Sequence, residues 1–169
     1  MPGQEKSLHM TILMTPDMGN FSGNVHGGSI LKMLDQVAYA CAARYCRHYV
    51  VTRSIDNVVF NGSIKVGDLV SFRANINYVG NTSMEVGVKV IAEDLECSTK
   101  RHTNSGYITM VCMGKDGKPT KAPELIIETE FERQLCEAAK MRGELRKEAA
   151  RRNAEITAGI ADYNTDVNS

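Results

Sequence analysis

Residues 25–46, "VHGGSILKMLDQVAYACAARYC", decide how the chain folds. From Ile30 to Cys46 apolar residues recur every three or four positions, the period of a helix with one buried stripe. Leu31, Leu34, Val37, Ala38, Cys41, Ala42 and Tyr45 fall on that stripe; Lys32, Gln36 and Arg47 fall on the wet side. Ser29 is the expected N-cap, and the helix should run about 25 Å at 1.5 Å per residue. Asp35 lies on the flank of the stripe, where a charge is out of place. Lys32, three residues back, is its one partner on the same helix, and such a pair is weak. The helix dipole helps only in the first turn. Partly burying an ionised carboxylate costs on the order of several kcal/mol unless other groups bond it. Two readings follow: an Asp held by backbone or by a partner subunit for packing alone, or an acid facing a pocket, poised to take a proton.

Gly27 and Gly28 stand directly before the helix. Backbone amides there lack intrahelical acceptors, and no side chain bars a ligand carbonyl. Such a turn suits a developing oxyanion; its plainer reading is a simple flexible loop. Amide donors at the helix start together with a carboxylate further along are a stronger signal than either alone.

Outward from the helix the period changes. Leu8–Met14 reads as a first strand, and the glycine- and asparagine-rich stretch from Met18 to Gly28 as a loop. "VVTRSIDNVVFNG" is β-branched and stops at Asn61-Gly62. "VSFRANINYVG" alternates strictly, as does "SMEVGVKVIAE", with the hairpin signal "GNTS" between them. "HTNSGYITMVCM" is a further strand, closed by the turn "GKDGKP". Beyond Pro123, Thr129-x-x-Glu132 is a capping box that should open a solvated helix to about Arg152, followed by a fraying tail. The order is strand, one long helix, about four antiparallel strands, then a C-terminal helix. That is an α+β class, with a main domain over residues 1–127 and a helical extension over 128–169.

The composition excludes several functions. Twenty basic residues balance 20 acidic ones, so there is no broad basic field for nucleic acid or a membrane surface. No stretch approaches the ~20 apolar residues needed to span a bilayer, and the first residues lack a secretory h-region. Five cysteines without CxxC spacing argue against disulfides or zinc. Reduced thiols in a cytoplasm are expected.

The string "NFSGNVHGGSILKMLDQVAYACAARYC" resembles the acyl-CoA thioesterases of the hotdog fold, in particular the cytosolic acyl-CoA hydrolases and their bacterial counterparts. The resemblance continues through "VVTRSIDNVVFNGSIKVGDLVSF", "NTSMEVGVKV" and "RHTNSGYITMV" and covers roughly residues 8–130. It implies an antiparallel sheet of about five strands wrapped around the long helix, and hydrolysis of acyl-CoA to free CoA and a carboxylic acid. In the family two hotdogs pair, commonly three pairs to a hexamer, with the active site at the seam. The resemblance makes Asp35 the general base or nucleophile and Asn20 its partner from the other subunit, while the Gly28 amide, with Gly27, holds the oxyanion. The plainer role for Asn20 is a turn residue whose side chain caps backbone. Arg101, Lys65, Asn81, Thr82 and Ser83 are candidates for the phosphates and body of CoA, and His26 for a loop or pocket wall. CoA enters as part of the substrate, so neither cofactor nor metal is implied; a regulatory nucleotide, known in some relatives, is compatible. The rival readings are a hotdog dehydratase or hydratase using His26 as base, and a non-catalytic acyl-CoA or nucleotide sensor. The first lacks its usual proline-rich loop; the second sits badly with the presence of both Asn20 and Asp35.

Overall fold

The alternating stretches pair into one antiparallel sheet in the computed structural model, which describes residues 4–160. The strands are β1 (Ser7–Leu13), β2 (Tyr49–Ile55), β3 (Leu69–Val79), β4 (Ser83–Asp94) and β5 (Thr99–Met113). Their order across the sheet is β1-β3-β4-β5-β2, so the two strands that flank the long helix in sequence lie at opposite edges. That helix, α1 (Gly27–Cys46), packs against all five strands. A twisted sheet can close around one helix in this way, and the expected wrap is what forms. Val70, Phe72, Ala74 and Ile76 of β3 and Met84, Val86, Val88, Val90 and Ala92 of β4 are buried with Leu34, Val37, Ala38, Cys41 and Ala42 of α1.

Helix α1 starts earlier than its apolar period suggested. Gly27 and Gly28 are already helical, and the N-cap is His26, whose Nδ1 accepts the Gly28 N–H at 3.0 Å. Ser29 is therefore inside the first turn and not its cap. Imidazole serves because a neutral ring offers one lone pair, which assigns the ring hydrogen to Nε2. At the other end Arg47 takes a left-handed φ of 57° and donates its N–H to Ala43 O. Leu31, placed on the core stripe, is only half-buried, whereas Ile30, Met33 and Cys46 are buried.

The chain divides after Ile126 into two compact units. The second holds α2 (Glu130–Ala158), opened by the full capping box of Thr129 and Glu132. It continues six residues past Arg152, stitched by Arg151 and Arg152 to Glu148 and by Arg151 to Glu155. The expected fraying thus does not begin at Asn153, and the rest of that expectation, residues 161–169, lies outside the described residues. No helix among the described residues is long and apolar enough to cross a membrane.

Candidate functional site

Asp35 is half-buried, and its partner comes from the sheet edge and not from its own helix. The Thr52 hydroxyl of β2 donates to Asp35 Oδ1 at 2.5 Å, a charge-assisted contact at the short end of its range. The strand is shaped for this. Between Thr52 and Ser54 the β2–β5 register slips by one residue, a bulge of the kind that re-aims side chains at the edge of a sheet. Thr52 also approaches Met110 Sδ at 3.5 Å, but a hydroxyl has one hydrogen, and the carboxylate is the stronger acceptor. Nothing in the sequence around Thr52 marks it as a partner for Asp35. The same helix and strand carry an aromatic pair: Tyr39, one turn after Asp35, meets Tyr49 of β2 edge to face at 6.3 Å, and both rings are exposed.

Asn20 lies elsewhere, on an exposed loop. Its Oδ1 accepts the Ser22 N–H at 2.9 Å, the Ser22 hydroxyl at 2.7 Å and the Asn24 N–H at 3.3 Å. Three donors converging on one atom fix the amide's orientation and leave Nδ2 as its donor end. The loop is pinned by the bridges Gly19 to Val25 and Asn24 to Lys65, and it turns at Gly23, whose φ of 79° suits glycine. Asn20, Asn24, Gly27, Phe60, Asn61 and Ile64 help to line a cavity of about 320 Å³. Asp35 is not in its wall, so one chain does not bring Asn20 and Asp35 into a common cavity.

The two glycines differ. The Gly28 N–H is engaged by His26, while Gly27, at the first helical position, has no intrahelical acceptor and faces the cavity with the Phe60 ring across from it. The candidates for CoA are split as well. Arg101 donates to Asp68 Oδ2 at 2.6 Å and to Ser63 O at 3.0 Å, and Asp68, buried, also accepts the Lys65 N–H. That guanidinium spends Nη2 on both bonds and braces the loop from Ser63 to Asp68, with its side chain still partly exposed; the Lys65 side chain is exposed. Asn81, Thr82 and Ser83 form the β3–β4 hairpin at the far end of the sheet, where their backbone carbonyls take Ala122 and Cys112 amides and the Gly80 N–H. Eleven residues of β3 separate the two groups, about 35 Å at the rise of a strand. Among the described residues no cluster of His, Cys, Asp or Glu could hold a metal ion.

Residues 22–99 match the thioesterase superfamily. Protein VdlD of Helicobacter pylori is 48% identical over 139 residues, 82% of this chain and 79% of that protein. A crystal structure of an apo-hexameric acyl-CoA thioesterase is 35% identical, with a TM-score of 0.82 over 86% of this chain and 94% of the other. The acyl-CoA hydrolase of Staphylococcus aureus, solved with butyryl-CoA, CoA and CoA disulfide, is 28% identical with a TM-score of 0.81, covering 91% of this chain and 93% of that one. Variants of that hydrolase with one asparagine, one aspartate or one threonine changed to alanine have been solved too.

Proposed function

This chain belongs to the hotdog-fold acyl-CoA thioesterases, and from that premise we propose that it hydrolyses acyl-CoA at a site assembled from two copies of itself. Asp35 is the general base. The Thr52 hydroxyl holds Oδ1, so Oδ2 is the oxygen that takes a proton from water as the hydroxide adds to the thioester carbonyl. The tetrahedral oxyanion is met by the Gly27 amide, the Gly28 N–H being held by the His26 ring. The carbon–sulfur bond then breaks, and Asp35 returns its proton to the departing thiolate, leaving free CoA and a carboxylic acid. Asn20 of the second copy presents Nδ2 to the carbonyl or the water without adding charge beside the acid.

The Asp35–Thr52 contact carries this reading. It is supported by spacing: the aspartate, asparagine and threonine replaced in the S. aureus hydrolase stand at the same intervals along that chain as Asp35, Asn20 and Thr52 do here. The split of Asn20 from Asp35 within one chain supports a dimer. Three dimers to a hexamer are the expected higher state, and one similar thioesterase is hexameric. Lys65, bridged to the Asn20 loop, serves the CoA phosphates. The hairpin of Asn81, Thr82 and Ser83 lies across β5 from Val51 and Thr52, at the Asp35 end of its own chain's sheet. The dehydratase reading loses ground, because His26 Nδ1 is committed to the Gly28 cap.

A free-thiol release assay over a panel of acyl-CoAs tests the proposal. Wild type should release CoA, and Asp35→Asn should lose at least ~100-fold in kcat, the scale of a removed proton-transfer group. Undiminished turnover by Asp35→Asn refutes it.

A further inference from the structure

The most exposed large apolar side chain of the described residues is Phe21, at 113% of its reference exposure, directly beside Asn20. Its loop is not slack. The Asn20 side-chain Oδ1, the two β-bridges and the turn at Gly23 hold the backbone in one shape, so the ring is held out in water by structure on both sides. A large aromatic displayed on a pinned loop is a feature of anchors, which bring apolar area at low entropic cost. A second unpartnered surface lies next to Asp35. Tyr39, one turn along α1 from Asp35, is 41% exposed, and Tyr49, on the edge strand β2 that also carries Thr52, is 63% exposed.

We propose that Phe21 anchors the Asn20 loop in a second copy of this chain, its ring lying on the Tyr39–Tyr49 face beside that copy's Asp35 and Thr52. This rests on the reading that Asn20 and Asp35 of one working site come from different chains. Adjacent residues cannot be separated: a loop that delivers Asn20 to the acid brings Phe21 within a residue's length of it. An isologous pair then covers both surfaces twice with one contact, because each copy gives one loop and receives one. Phe21 is thereby a positioning residue. Its ring sets the depth at which Asn20 stands and shields the acid from bulk water.

The chain has no tryptophan, so Phe21→Trp introduces a single emitter at the proposed contact. In the assembled protein its emission should lie to the blue of free N-acetyltryptophanamide and resist acrylamide, and both properties should be lost when dilution separates the copies. In the thiol-release assay Phe21→Ala should lower kcat by about tenfold or more, the scale of a small misplacement of a reacting group, and Phe21→Leu should recover most of it. An indole at position 21 that emits and quenches as if free in solution while the protein is assembled and active overturns this inference alone. So does a Phe21→Ala variant with wild-type kcat. A wild-type chain that releases no thiol from any acyl-CoA overturns the proposed activity instead, whatever the state of position 21.

Discussion

The two long helices carry similar chemistry in opposite surroundings. Helix α1 buries nine of its 20 residues; α2, with 29, buries only Cys136 and Ala139. Each bears a carboxylate held by a neighbour. On α2, Arg151 and then Arg152 hold the Glu148 carboxyl below the usual carboxylate range, yet it stands in water, where such pairs add little. On α1, Asp35 is held by a hydroxyl from a different strand at the flank of the core. The residue type says little about which acid does chemistry. The surface that its helix buries, and the element brought beside it, say much more.

That contrast can be broken most forcefully in the core of α1. Leu34 is wholly buried, and Leu34→Ala should cost about 2–5 kcal/mol in denaturant unfolding; a cost under 1 kcal/mol would mean that the sheet does not close around α1. Thr52→Ala should lower kcat by about tenfold, the scale of one lost charge-assisted hydrogen bond, and Thr52→Ser should restore it. Equal loss in both variants would assign the effect to packing and not to the hydroxyl. The mildest change belongs to α2. Thr129→Ala removes the capping box at a cost of about 1 kcal/mol, with kcat unchanged. A fall in kcat there would tie the second unit to the site.

The interval of α1's apolar residues and the strict alternation of β3 and β4 were enough to read a helix wrapped by strands, because burial on one face leaves its period in the chain. The start of α1 leaves no such mark. Two glycines look like loop, yet they stand in a first turn that a histidine side chain caps, and that bond has no periodic signature. Thr52 was illegible for another reason. It is 17 residues from Asp35, and only the return of β2 along α1, with its bulge, sets the hydroxyl on the carboxylate. The candidates for CoA looked like one group as residue types. The length of the sheet divides them, and Asp68, one buried acid among many in the sequence, takes Arg101.

A site shared between chains is tested most directly by mixing two inactive proteins. Asn20→Ala and Asp35→Asn, dissociated, combined in equal amounts and reassembled, should regain about a quarter of the wild-type thiol-release rate. Half the pairs are then mixed, and each mixed pair has one intact site of two. A mixture as inactive as its components, with mixed pairs demonstrated by mass, would contradict the account.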